Sequence, residues 1–227
     1  MTRIDCSTSE ATPQTPSALA VSATKQQMQN GAEGMSVPDA VRALAFLYPA
    51  RSTFELCGIG PRIKKHRLWD NDFAGGKKPI VAGWFSDQEK AAMLAAILDA
   101  EARPEGIYVT LNPTSPALLG RADHRLKAGV NRTQDSEMVA LCNLLLDADP
   151  VRPAGISATE AERTKAREMS RAIYAFLRGL GWPDPLCADS GNGDHLVYKI
   201  SLANTSENVA LIKGILRALA ARFDTCH

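Results

Sequence analysis

The prediction of the fold starts from "LLLDADPVRPAG", residues 144 to 155. Three leucines lead into Asp147 and Asp149, and Pro150 then prevents the backbone from continuing as a paired strand. With the residues just before it, the run is apolar on both faces, which predicts a central strand of a sheet over about residues 141 to 149. The two aspartates should therefore lie at an accessible edge, where that strand ends.

The two aspartates are candidate metal ligands. Residues two apart in a strand project from the same face, so Asp147 and Asp149 should have Cα atoms about 6 to 7 Å apart. Two like charges at this distance repel by about 2.5 kcal/mol at an effective dielectric constant near 20. A divalent cation reverses the sign of that energy, and Mg²⁺ binds one or two carboxylates together with waters and phosphate oxygens. The competing interpretation is a solvated turn, since Asp and Pro are common in loops.

A second candidate segment is "DSGNGDHLVY", residues 189 to 198. Backbone N–H groups of Ser190, Gly191, Asn192 and Gly193 can form a nest that binds an anion, and His195 at the start of the next strand supplies a donor or a cation. This indicates a phosphate-binding turn. The competing interpretation is a glycine-rich β-turn followed by an ordinary surface histidine.

One helix connects these two segments. "SATE", residues 157 to 160, has the pattern of a capping box, and apolar residues at helical spacing predict a helix over about 158 to 180. A strand over about 195 to 201 and a helix over about 206 to 222 follow. A β-α-β connection of this length places both strands in one sheet. A metal-binding acidic pair beside a phosphate site is an arrangement for nucleotidyl transfer.

The first half of the chain predicts further mixed structure. Residues 1–35 are polar and small, which predicts a disordered leader. A helix should begin at Ser36 and end before Pro49, and "SDQE", residues 86 to 89, should cap a second helix. Short β-prone runs are "TFELC", "PIVAGWF" and "GIYVTLNP". The expected class is α/β or α+β on a small twisted sheet, with helices mainly on one face.

Composition sets the broader limits. The chain has 227 residues and a formal net charge of +1, so no overall positive field argues for nucleic acid. The five cysteines are scattered without a C-x-x-C pair, and no apolar run is long enough to span a bilayer, so we expect a cytoplasmic protein with no membrane partner. Local basic clusters remain candidates for DNA contacts, or for solvated loops: "RIKKHR" (62–67), and Arg121, Arg125, Lys127 and Arg132.

"LLLDADPVRPAGISATEAE" followed by "ADSGNGDHLVYKI" resembles the archaeo-eukaryotic primase superfamily, specifically the primase-polymerase domains linked to helicases on plasmids, phages and other mobile elements. "FELCGIG", "GWFSD" and "GIYVTLNP" also fit that subgroup. The resemblance implies one domain over residues 36–227, with an RRM-like catalytic sheet over about 136–227 preceded by a smaller α/β unit over about 36–135.

The resemblance also implies an activity. Such a domain makes primers or extends DNA on a single-stranded template from nucleoside triphosphates, with Mg²⁺ or Mn²⁺ and with a replicative helicase as partner. Asp147 and Asp149 would be its metal-binding acids, and Ser190 and His195 would belong to its second motif, with His195 on the phosphates of the incoming nucleotide. Arg152, just behind the acidic pair, would bind a carboxylate or the triphosphate.

Two positions depart from the family pattern. The residue before the motif histidine is commonly aromatic, whereas here it is Asp194, which would weaken nucleotide binding or add a metal ligand. The family's third motif, an acid on a strand after the last helix, has no counterpart before the sequence ends at "ARFDTCH". We therefore expect weak metal binding and feeble polymerisation.

Two other functions compete with this one. The first is a non-catalytic relative that binds single-stranded DNA or nucleotides on the same sheet. The second is a D-x-D glycosyltransferase that uses a metal and a nucleotide sugar, although this leaves the "SGNGDH" segment unexplained.

Overall fold

The computed structural model describes residues 18–20, 35–63, 66–69, 79–150 and 156–223. Within these ranges the chain is of the mixed α+β class, with four α-helices and two sheets. This confirms the predicted class at that level. The chain divides into two compact units that meet in sequence between Cys142 and Asn143, whereas the sequence analysis placed the boundary near residue 135. The predicted disordered leader lies outside the described residues, except for 18–20 and Met35.

The first unit is built on a five-stranded antiparallel sheet, the larger of the two sheets. Its strand order is β1-β4-β2-β3-β5. The strands are β1 (Ala18–Ala20), β2 (Phe54–Ile59), β3 (Ile80–Phe85), β4 (Gly106–Thr110) and β5 (Lys127–Ala128). Two helices belong to the same unit: α1 (Val37–Leu47) and α2 (Gln88–Ile97).

Local signals explain how these two helices begin. The side chain of Ser36 caps α1 by accepting the N–H of Asp39, and Pro38 occupies the first turn, as the sequence predicted. The cap predicted at Ser86 is wrong by one residue. Asp87 caps α2 by accepting the N–H of Lys90 at 2.9 Å. The Ser86 hydroxyl lies instead 3.1 Å from Nε2 of His124, a partner far away in sequence.

Aromatic side chains form the core of the first unit. The rings of Tyr48 and Phe54 stack with centroids 4.3 Å apart, and the Trp84 indole N–H donates to Oγ1 of Thr133 at 2.9 Å. Gly83 lets another segment cross this sheet, because a Cβ there would overlap the carbonyl oxygen of Arg125. The interior of the unit therefore depends on large rings whose polar atoms have partners.

A buried ion pair lies in the same unit. Glu55 is fully buried; it accepts Nε of Arg132 at 2.5 Å and the backbone N–H of Thr133 at 2.8 Å. Arg132, one of the basic residues that the sequence offered to nucleic acid, is thus engaged inside the protein. Removing one partner of such a pair leaves an uncompensated charge in the interior.

The second unit has a three-stranded sheet covered by two helices. Its elements are β6 (Ala140–Ala148), α3 (Glu160–Gly179), β7 (Leu186–Asp189), β8 (Asp194–Ala203) and α4 (Ser206–Phe223), and the strand order is β6-β8-β7. β7 and β8 are antiparallel. β6 and β8 are antiparallel too, because His195 contacts Asp147 while Lys199, four residues later, contacts Asn143, four residues earlier.

Alternate residues of β6 and β8 separate the two faces of this sheet. Leu144 and Leu146 of β6 form one buried cluster with Leu196 and Tyr198 of β8. The same cluster contains residues from both helices: Ile173, Leu177 and Leu219. Both helices therefore pack on one face, as predicted, and Asp147 and His195 lie on the other face.

Three details of this unit differ from prediction. The strand predicted to be central, β6, is at the edge of the described sheet, because β7 pairs with the far side of β8. β7 itself was not predicted, so the connection from β6 to β8 contains a further strand. The helix cap is Thr159, which forms a capping box with Glu162, and not Ser157 with Glu160.

Substituting Arg132 with Ala should destabilise the protein by about 3 kcal/mol, because it strands the buried Glu55 carboxylate. The measurement is the free energy of unfolding in urea. Arg42→Ala is the matched control, since Arg42 pairs with Asp39 on the exposed side of α1 and should contribute less than about 0.5 kcal/mol. Equal losses in the two variants would contradict this account of Glu55.

Candidate active site

The acidic pair lies where β6 ends. Asp147 is the penultimate residue of β6, and its side chain is 51% exposed. Asp149 follows the final strand residue, Ala148, and is half-buried. Leu146 faces the helices, so Asp147 projects from the opposite face. Both carboxylates therefore lie at the C-terminal end of β6, the position that the sequence analysis predicted.

His195 joins the pair from the neighbouring strand. Its Nε2 lies 3.2 Å from Oδ1 of Asp147, and its side chain is only 8% exposed. Burial alone would lower the pKa of this imidazole, but the hydrogen bond to Asp147 and the charges of Asp147, Asp149 and Asp194 outweigh it, so the pKa is raised. His195 therefore tends to carry a proton, which it directs at Asp147.

Asp149 meets the turn between β7 and β8. Its Oδ1 lies 3.4 Å from Oγ of Ser190. A Cβ at position 193 would overlap the carbonyl oxygen of Ala148 and lie 2.7 Å from that same Oδ1, so the approach requires Gly193. The two segments that the sequence singled out, 147–149 and 190–195, therefore come together.

The turn itself differs from the predicted anion nest. The N–H groups of Asn192 and Gly193 point to Oγ of Ser190, at 3.4 and 2.9 Å. The Gly191 N–H donates to Oδ1 of Asp189 at 2.6 Å, and the Ser190 N–H donates to the Gly193 carbonyl at 2.9 Å. All four donors are thus engaged within the hairpin, and an anion at this site would depend on side chains.

Asp194 does not lie beside His195, although it precedes it. Neighbouring residues of a strand face opposite ways, and Asp194 faces α3, where its Oδ1 is 3.9 Å from Nε of Arg167. Burial raises the pKa of Asp194, while the charges of Arg167 and Arg171 act against that rise. Its carboxylate is therefore not placed as a ligand beside Asp147, although its charge still acts on His195.

The predicted basic contacts have separate surroundings, each within its own unit. Arg152 lies outside the described residues. Arg121 belongs to the first unit, where its guanidinium pairs with Glu137 and donates to the carbonyl oxygens of Asn131 and Arg132 at 3.3 and 3.4 Å. Arg121 therefore has partners within the protein, and its role as a DNA contact stays a prediction.

Other basic residues of the first unit have varied surroundings. Arg125 is exposed and Lys127, in β5, is half-buried. In the cluster at 62–67, Arg67 binds Glu101 through two nitrogens, at 3.1 and 2.5 Å, and His66 reaches the same carboxylate at 2.9 Å. The remaining lysines of that cluster, Lys64 and Lys65, lie outside the described residues.

A serine–histidine–aspartate chain that the sequence analysis did not predict occurs in the first unit. Nε2 of His124 lies 3.1 Å from both Oγ and the backbone nitrogen of Ser86, and Nδ1 contacts Asp123. The backbone N–H can only donate, so Nε2 is the acceptor and Nδ1 carries the proton. In nucleophilic catalysis Nε2 would have to take up the serine proton, and its N–H would then face the backbone N–H of Ser86. We therefore infer that these three side chains stabilise the end of β3 and do not act in nucleophilic catalysis.

The donor set at β6 suits Mg²⁺ or Mn²⁺. These ions take one or two carboxylates and complete their shells with water and phosphate oxygens, which Asp147 and Asp149 satisfy. Among the described residues no three His, Cys, Asp or Glu side chains form a metal-binding group. His195 donates toward Asp147 and is therefore a partner of the carboxylate, not a third ligand.

Comparison with protein-family models, with curated proteins and with solved structures finds no match for this chain. No helix in the described ranges combines the length and apolar character needed to cross a bilayer.

Replacing Asp147 with Asn should lower the pKa of His195, because the hydrogen bond and the nearest negative charge weaken together. In the unsubstituted protein, His195 contributes stability that is complete below its unfolded pKa of about 6.5 and is lost as the pH rises through the higher folded value. Asp147→Asn should flatten that part of the stability profile.

The pKa is measured by NMR titration of the His195 ring, and stability by urea unfolding from acidic to alkaline pH. Asp184→Asn is the matched control, because Asp184 binds the Tyr174 hydroxyl in the same unit and has no part in the His195 contacts. An unchanged His195 titration in Asp147→Asn would show that the contact has no energetic weight.

Proposed function

We propose that this chain is a metal-dependent nucleotidyltransferase of the primase-polymerase type, which builds DNA or primers on a single-stranded template from nucleoside triphosphates. The observation that carries the proposal is the convergence of Asp147 and Asp149 with Ser190 and His195 on one side of the second sheet. These are the residues that the resemblance assigns to the first two motifs of that family.

The topology of the second unit supports an RRM-like core. Its element order is β-α-β-β-α, and β8 lies between β6 and β7. Two strands separated by a third strand that arrives later in the chain are typical of the split β-α-β arrangement of ferredoxin-like folds. In the second unit both helices pack on one face of the sheet, and Asp147 projects from the other.

The chain's own residues would act as follows. Asp147 and Asp149 would hold the metal ion, which when bound lowers the pKa of an attacking hydroxyl and stabilises the leaving pyrophosphate. The Ser190 hydroxyl lies 3.4 Å from Oδ1 of Asp149 and 3.0 Å from the Gly193 carbonyl oxygen, so it would be a polar neighbour of the metal-binding carboxylate. His195, with its raised pKa, supplies a proton-bearing Nε2 that can donate to a phosphate oxygen in place of Asp147.

A second candidate function is binding without turnover. In the described structure His195 is largely buried and paired with Asp147, and the turn donors are engaged internally. A relative that binds single-stranded DNA without chemistry would have the same features. The two functions differ in what the carboxylates are needed for, so the variants below separate them.

Asp147→Ala and Asp149→Ala should each reduce incorporation of labelled nucleotide on a single-stranded template by about 10³-fold, since loss of the metal costs several kcal/mol of transition-state stabilisation. The assay is run with Mg²⁺ and with Mn²⁺. Glu168→Ala, an exposed acid on α3 in the same unit, is the charge-matched control and should retain full incorporation. If nucleotide incorporation survives in both Asp variants, the activity belongs to another site.

Binding of single-stranded DNA should survive in the same Asp variants and become slightly tighter, because a negative charge near the phosphates is removed. Fluorescence anisotropy with a labelled oligonucleotide at several salt concentrations measures this. Binding by every variant with no incorporation by any of them would favour the non-catalytic module. Loss of DNA binding in both Asp variants would contradict both functions.

A further inference from the structure

A second group of charges lies on the side of the β7–β8 hairpin that faces α3. Asp189 ends β7 and pairs in register with Asp194 of β8. Arg163 and Arg167, one helical turn apart, each direct an Nη2 to the same oxygen, Oδ2 of Asp189, at 3.3 and 3.1 Å. The other oxygen, Oδ1, accepts the N–H of Gly191 at 2.6 Å.

This group is distinct from the acidic pair at the end of β6. Asp194 contacts Arg167 on α3, whereas the next residue, His195, contacts Asp147 on β6. Adjacent strand residues face opposite ways, and Asp189 shares the side of its partner Asp194. The arginines and Asp189 therefore lie on the α3 side of the hairpin.

The contacts that hold Asp189 are loose for charged groups. Hydrogen bonds between a guanidinium and a carboxylate are usually 2.7 to 2.9 Å long and often use two nitrogens. Here each arginine gives Asp189 a single nitrogen at a longer distance, and the Nη1 of Arg163 goes to Glu160 at 3.0 Å. The Asp189 side chain is also 47% exposed, so it can leave this position for solvent.

The two arginines converge on one anion. Like charges one turn apart destabilise a helix, and both guanidiniums converge on one oxygen atom. The Arg163 side chain is only 19% exposed, which strengthens its interaction with any anion placed there. A terminal phosphate carries up to two negative charges and three acceptor oxygens, against one charge and two oxygens for a carboxylate.

We propose that Arg163, Arg167 and the Gly191 N–H form a binding site for a terminal phosphate group, and that the Asp189 carboxylate is its internal anion, displaced when phosphate binds. The proposal does not depend on nucleotidyl transfer at Asp147. It predicts opposite effects for the two kinds of charge in the cluster, which a purely structural ion pair would not produce.

The experiment measures the affinity for inorganic pyrophosphate by calorimetry, with EDTA present and in an Asp147→Ala background to remove metal-dependent binding at the other site. Asp189→Asn should bind about fivefold tighter, because it removes the negative charge that competes with phosphate and leaves a neutral side chain of the same size, which releases the Gly191 N–H more readily. Arg163→Ala and Arg167→Ala should each bind about tenfold more weakly. Arg178→Ala, on the same helix with its guanidinium over the Tyr174 ring, should be unchanged.

The outcomes are decisive in both directions. Weaker or unchanged pyrophosphate binding by Asp189→Asn, or unchanged binding by both arginine variants, would overturn the proposal. Circular dichroism and thermal unfolding report whether an arginine variant has failed to fold. In that case the proposal is tested by the affinity of Asp189→Asn for pyrophosphate and by the shift of its Gly191 amide resonance when pyrophosphate is added. Deoxyadenosine triphosphate should bind in the same rank order of variants. If the two arginines were needed only for binding an oligothymidylate without terminal phosphate, the site would recognise a phosphodiester backbone. That result would refute the assignment to a terminal phosphate.

Discussion

The arrangement of the second unit depends on one close approach, that of Gly193 to the end of β6. A Cβ at this position would overlap the Ala148 carbonyl oxygen, so any other residue would push the hairpin away from the strand. With the hairpin in place, Ser190 reaches Asp149 and His195 reaches Asp147. A single absent methyl group thus allows two stretches of sequence joined by a whole helix to share one set of charges. The turn also relies on Gly191, whose φ of 83° is in the left-handed region that favours glycine.

The charges around the hairpin are sorted by strand alternation. On one face, the acids at the end of β6 lie beside the imidazole of His195. The charge of this imidazole changes with pH. On the other face, Asp189 and Asp194 have guanidiniums, which stay charged at all ordinary pH values. The α3 side of the hairpin therefore keeps the same charges over the ordinary pH range, while the side toward Asp147 can change its protonation.

Sequence periodicity predicted the class, most helices and strands, and the meeting of the two key segments, because apolar spacing and chain length are local properties. It failed where a distant partner decides. Ser86 and Asp87 are adjacent and either could cap α2; the Ser86 hydroxyl contacts His124, and Asp87 is the cap. Two possible capping boxes overlap before α3, and the one that forms begins at Thr159. Arg121 looks like a surface cation until Glu137 is seen beside it. The spacing of Arg163 and Arg167 on the predicted helix was visible in the sequence, but their shared carboxylate on β7 was not, since that four-residue strand has no periodic signature.

β6 extends across the boundary between the two units, which falls between Cys142 and Asn143. Neither unit can be cut out there without leaving part of a strand behind. Recombination that replaced one unit by another would preserve β-pairing only if residues 140–148 moved as a block. Asp147 lies inside that block, so it would be inherited together with the strand that displays it.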